Sequence, residues 1–139
     1  MAKSLMEYFN REDRLGVLAT SAQSGEVDCA YFGSPRMLDE STVIVTLGDN
    51  KTLANLQENP HACYFILEPG KSIMEWKGLR IYLKMMKCET EGETLDMMKK
   101  VIAERAGEAA AKMMRAAVTF SVTDLRPLAD FGQGWENSI

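Results

Sequence analysis

Residues 46–60, TLGDNKTLANLQENP, decide how the chain is read, because they pass from buried strand to turn to short helix in one span. Residues 42–47 (TVIVTL) are β-branched and apolar, the composition of an interior strand. Gly48, Asp49 and Asn50 are turn formers, and Asp49 or Asn50 can cap a helix. Leu53 and Leu56 mark one helical face. Asn59 precedes Pro60, which disfavours helical backbone and ends the helix. A helix starting here leaves the amides of Thr52 and Leu53 free, with Lys51 and the Thr52 hydroxyl beside them. Free amides, a cation and a hydroxyl are the parts of a phosphate site. The plainer reading is a capped surface helix with a solvated Lys51. The carboxylate of Asp49 would repel a phosphate unless it turned away.

On the N-terminal side, Ser4 and Glu7 have capping-box spacing, which predicts an amphipathic helix over residues 5–12 with Leu5 and Phe9 on one face. Residues 15–21 (LGVLATS) read as a buried strand, followed by a turn at Gln23, Ser24 and Gly25. Residues 27–37 (VDCAYFGSPRM) read as a second strand. Pro35 puts it at an edge or a bulge, and Gly33 permits close approach of a ligand or backbone. Residues 38–41 turn into the strand at 42–47. The three strands are joined by short turns, which favours antiparallel neighbours.

On the C-terminal side, residues 62–67 (ACYFIL) form a fourth strand, and residues 69–76 form a loop. Residues 78–89 (GLRIYLKMMKCE) alternate, with Leu79, Ile81, Leu83 and Met85 opposite Arg80, Tyr82 and Lys84. Residues 94–114 carry Leu95, Met98 and Ile102 at helical spacing, with a bend expected at Gly107. Residues 117–126 alternate again. Six strands, three of them in a meander, predict a small closed antiparallel barrel, with a helical excursion before the last strand that plugs or flanks it. It is a single domain over 1–139, with its core at about 5–126 and a tail at 127–139.

Composition narrows the function. The chain is 46% hydrophobic and 26% charged, and its net charge of −4 argues against nucleic acid as the main partner. No apolar run is long enough to span a bilayer, and the N-terminal stretch MAKSLMEYFNRED has no signal-peptide segment. Three cysteines without a CxxC fit reduced thiols, so a cytoplasmic location is expected.

The strand GVLATS, the Ser-Gly turn, TVIVTLGDNKTLANLQENP and GLRIYLKMMKCE together resemble the pyridoxamine-5′-phosphate-oxidase-like FMN-binding split barrels. The resemblance covers about residues 5–126, and the Lys-Thr pair before a helix ending in Asn-Pro is its most specific part. It implies a six-stranded antiparallel split barrel and a homodimer with FMN at the subunit interface. By position, it implies that Lys51 and Thr52 hold the FMN phosphate. It also implies that Val45, Thr46 and Leu47 lie along the isoalloxazine and supply backbone hydrogen bonds. Ser34, Pro35 and Arg36 lie across from them, Arg36 as a second phosphate or ring contact, and Asn55 is a further candidate. The vitamin B6 oxidases carry an arginine early in strand two, where this chain has Cys29, Ala30 and Tyr31. They also carry a C-terminal segment with arginine and tryptophan that residues 127–139 do not match. Both departures argue against pyridoxine-phosphate oxidation.

The expectation is an FMN-dependent oxidoreductase of undefined substrate. The alternative is a non-catalytic module of the same fold that holds a flavin, a deazaflavin or haem. No nucleophile set is readable, and a flavin carries its own chemistry. His61 and Cys63 share a strand face but make no metal ligand set. The methionine pairs read as core filler or as the lining of a flexible pocket. Trp76 and Trp135 are candidates to stack on a flavin or close a dimer, or they simply pack.

Overall fold

Residues 27–37 do not form the single strand expected of them. In the computed structural model, which describes residues 4–139, they form β2 (Val27–Tyr31) and β3 (Arg36–Asp39). Pro35 lacks an amide hydrogen and restricts Ser34 before it, so after a last bond from the Phe32 amide to Gly16 the chain leaves the ladder at residues 33–35. The sheet therefore has seven strands rather than six. The others are β1 (Gly16–Ser21), β4 (Thr42–Gly48), β5 (His61–Glu68), β6 (Lys77–Glu89) and β7 (Met114–Pro127). The helices are α1 (Leu5–Phe9), α2 (Lys51–Glu58), α3 (Glu93–Ala106) and α4 (Glu108–Lys112).

The strand order is β2-β1-β5-β6-β7-β4-β3, so β2 and β3 stand at opposite edges of the sheet. β1 and β2 pair antiparallel, as do β3 and β4, but the two hairpins are not neighbours. Six strand spacings of a flat sheet would separate the edges by about 29 Å, and five residues of extended chain reach only about 18 Å. The sheet must curl until its edges nearly meet. The result is the antiparallel split barrel, mainly β with flanking helices.

Alternate residues of the strands fill the interior. Leu18, Val45, Leu47, Tyr64, Ile81, Leu83 and Phe120 meet Leu5 and Phe9 of α1 and Leu53 and Leu56 of α2. The Ser4 hydroxyl caps α1 by accepting the Glu7 amide at 3.0 Å. α1 ends at Phe9, short of the expected residue 12, because Asn10 turns to the sheet. Its amide side chain donates to the Met37 carbonyl at 2.9 Å and accepts the Met37 amide at 2.8 Å. α3 and α4 meet at Gly107, whose φ of +95° only glycine adopts readily, so the expected bend is there. Among the described residues no helix is long and apolar enough to cross a membrane.

One buried guanidinium secures the crossing. Arg14 donates to the carbonyls of Gly33 and Pro35, each at 2.8 Å, and to that of Phe9. It lies over the rings of Phe9 and Tyr64, at 5.1 and 5.3 Å from their centroids. The Tyr64 hydroxyl donates to the Phe32 carbonyl at 2.6 Å. Among the described residues Arg14 has no carboxylate partner, so carbonyls and ring faces carry its charge. Arg14→Met should lower the unfolding free energy by about 3 kcal/mol or more, since two buried carbonyls and a part-buried one lose a charged donor. Arg14→Lys should recover little, because a single ammonium lacks the fork. An unchanged urea midpoint for either variant would show that the crossing holds without Arg14.

Candidate functional site

β4 has two faces of different character. Val43, Val45 and Leu47 belong to the core, so Ile44, Thr46 and Gly48 point the other way. β7 pairs with β4 along its whole length, whereas β3 reaches only as far as the pair Arg36 and Ile44. Among the described residues, the edge of β4 at residues 45–48 therefore has no strand partner. It presents main-chain donors and acceptors.

A cavity of about 600 Å³ opens over that face. This lies inside the range of about 300–1,000 Å³ common for small-molecule sites. Phe32, Gly33 and Ser34 of the crossing form one wall. Thr46, Gly48, Asp49 and Asn50 form the floor and lead to the start of α2. The opposite wall is α3, through Met98, Val101, Ile102, Arg105 and Ala106, one helical face by spacing. Met113 and Met114 continue that wall, so Met98, Met113 and Met114 line a pocket, while Met85 packs against the core.

Thr46 is only 2% exposed, and its hydroxyl oxygen is buried without a hydrogen-bond partner. A buried hydroxyl without a partner is costly, and this one borders an open cavity. Three arginines also line the space: Arg36, Arg105 and Arg115. Arg36 donates to the Asn10 carbonyl at 2.8 Å and has no ion pair among the described residues. Burial lowers its pKa, and the positive charges of Arg105 and Arg14 lower it further, against a smaller opposite pull from Glu12. Arg105 meets Glu12 at 3.4 Å, with both side chains exposed. Arg115 sits at the bulge where β7 slips against β4 and donates to the Lys112 carbonyl at 2.8 Å.

Of the residues singled out from the sequence, Ser34, Arg36 and Thr46 line the cavity. Val45 and Leu47 bury their side chains in the core, so they offer the cavity only backbone. Pro35 gives its carbonyl to Arg14. Asn55 is buried and donates to the Thr20 hydroxyl at 3.1 Å, which fastens α2 to β1. Lys51 and Thr52 are not side by side. Thr52 is 1% exposed, and Lys51 reaches Glu26 in the β1–β2 turn at 2.7 Å. That bond holds the Glu26 carboxyl below its ordinary pKa and raises the Lys51 ammonium. The Asn50 side chain accepts the Leu53 amide at 2.9 Å. The first-turn amides left without an intrahelical bond are therefore those of Lys51 and Thr52, one residue earlier than the sequence implies.

The arginines of the far wall escaped the sequence reading. Arg105 extends the stripe of Met98 and Ile102 by one turn, a signal that the helical period does contain. Arg115 depends on a bulge that no local pattern marks. His61 is exposed at the start of β5, and Cys63 is half-buried, with its thiol pushed up by burial. Neither lines the cavity. Among the described residues no three metal-ligating side chains cluster. Trp135 packs against the core and Trp76 is partly exposed, and neither lines the cavity.

The model of the pyridoxamine 5′-phosphate oxidase family matches residues 3–129. The chain belongs to that family. No curated protein matches it. The oxidase-family fold is shared with an FMN-binding protein from Syntrophomonas wolfei subsp. wolfei. The two are 23% identical, with a TM-score of 0.73 over 92% of this chain and 84% of that one. A protein called an F420 reductase is 14% identical, with a TM-score of 0.65 over 88% and 97% of the two chains. HutZ, the haem storage protein from Vibrio cholerae, is 20% identical, with a TM-score of 0.60 over 86% and 89%. At these identities the likeness is one of fold.

Replacing the orphaned hydroxyl isolates its role. Thr46→Val should leave the ligand-free protein at least as stable as the wild type, because no hydrogen bond is lost and a buried polar atom is removed. A urea-measured loss above about 1 kcal/mol would mean that the hydroxyl already has a partner.

Proposed function

We propose that the protein is an FMN-binding oxidoreductase of the pyridoxamine 5′-phosphate oxidase family. The observation that carries this reading is the open edge of β4 beside a buried, unpartnered Thr46 hydroxyl, both on an apolar cavity of sufficient size. A flavin ring needs a flat apolar slot and main-chain partners for its polar edge, and its phosphate needs a cation. The backbone of Val45, Thr46 and Leu47 supplies the partners, and the Thr46 hydroxyl supplies one more. Ser34 faces them across the cavity.

The phosphate is assigned to the start of α2, where Gly48, Asp49 and Asn50 border the cavity and two first-turn amides are unbonded. Lys51 joins it by exchanging its exposed bond to Glu26 for a phosphate, an exchange that costs little at the surface. Thr52 contributes its amide, since its side chain is buried. Arg36 stands at the other end of the cavity, away from the phosphate. When bound, the flavin supplies hydride or electron transfer. The chain's own residues orient it along β4 and leave the α3 side of the cavity to a second molecule. A deazaflavin or haem is the competing occupant, suggested by the fold shared with an F420 reductase and a haem storage protein. The absorbance of each differs from that of FMN.

Titration of FMN with the protein should quench flavin fluorescence. Lys51→Ala should weaken binding about tenfold or more, and Glu26→Gln should tighten it a few-fold by freeing the lysine. A wild type that leaves FMN fluorescence unchanged removes the proposal.

A homodimer is part of the same reading. Val27 and Tyr31 on the β2 edge and Met97 on α3 are exposed apolar side chains, which a second copy would cover. Light scattering should give twice the mass of the 15.5 kDa chain, and a monomer that binds FMN fully would exclude the interface.

A further inference from the structure

The cavity is charged at both ends. Arg36 pairs with Ile44 in the β3–β4 ladder, four positions before Gly48, a distance of about 13 Å along the strand. Arg115 and Asp49 lie at the Gly48 end, beside the proposed phosphate position. At the Ile44 end, Arg36 and Arg105 bring two positive charges close together at a cavity wall, with Arg14 behind them. The acidic group facing them is Glu12, whose exposed contact with Arg105 is of the weak, exchangeable kind. Two neighbouring cations repel each other, and an anion placed between them relieves the repulsion. The wall next to them is apolar: Met98, Val101 and Ile102 precede Arg105 on the same face of α3. Methionine adapts to ligands of varied outline.

We infer that this end of the cavity binds, beside the flavin, a compound with an apolar body and one anionic group, its body against Met98, Val101 and Ile102 and its anion between Arg36 and Arg105. The inference rests on the flavin reading only in making this compound the second occupant. An uncharged molecule of the same shape leaves the arginines unmatched and binds less tightly. A bare inorganic anion lacks the apolar contact and also binds less tightly. The cavity therefore selects for both features at once.

Equilibrium dialysis with naphthoate and its uncharged amide tests this, on the full chain with and without saturating FMN. Wild-type protein should hold naphthoate about tenfold more tightly than naphthamide, the effect of one charge-assisted contact. Arg105→Gln, a change at an exposed helical position, should abolish that preference and leave naphthamide affinity and FMN binding unchanged. Saturating FMN should not displace naphthoate. Equal affinities, a preference that survives Arg105→Gln, or stoichiometric displacement by FMN would each overturn the inference. A naphthoate preference that persists in protein unable to bind FMN would overturn the flavin reading and leave the anion site standing.

Discussion

A short crossing between the two edges of one sheet is the constraint on which the structure depends. β2 and β3 follow one another in sequence yet lie at opposite ends of the strand order. Residues 32–35 are too few to bridge a flat sheet, so the sheet closes on itself. In the crossing the Phe32 amide still donates to the Gly16 carbonyl, but the carbonyls of Phe32, Gly33 and Pro35 need other donors. Arg14 and the Tyr64 hydroxyl supply the missing donors. Gly16 belongs to the same arrangement, because a Cβ there would lie 1.9 Å from the Tyr64 hydroxyl oxygen. The closure is therefore specified by a few polar contacts inside an otherwise apolar interior.

The same crossing builds the site. Where β3 starts late, at Arg36, its ladder with β4 ends at Ile44 and the remaining edge of β4 is left open. The residues that would have continued β3 instead form a cavity wall, with Ser34 and Arg36 at its rim. α3 and α4, inserted between β6 and β7, close the far side. An unfilled backbone edge, an unpartnered hydroxyl and two neighbouring cations are each unfavourable in isolation. Their convergence on one cavity is what a ligand with an apolar plane and anionic groups would resolve.

The sequence disclosed most of the architecture, because a β-branched apolar run marks β4, alternation marks β6 and β7, and cap chemistry marks α2. The strand expected at residues 27–37 was legible only in part. Pro35 announced an interruption, but whether a strand bulges or divides depends on where its halves pair, which is a tertiary matter. Of the cavity lining, Ser34, Arg36 and Thr46 were legible, where motif and strand direction suffice. The helix start at Lys51 and Thr52 was legible, yet their side chains answer to Glu26 and to the core, partners distant in sequence. Arg105 and Arg115 needed the packing of α3 against β4 and a bulge in β7 before they could be placed.

The central claim is that a flavin lies along the open edge of β4 with its phosphate at the start of α2. A proton–nitrogen correlation NMR spectrum of labelled protein, recorded as FMN is added, tests it directly. The account predicts that the amides of Val45, Thr46, Leu47 and Gly48 shift together with those of Lys51 and Thr52, while those of β1 and β5 stay in place. Shifts confined to other elements, or none at saturating FMN, would contradict it.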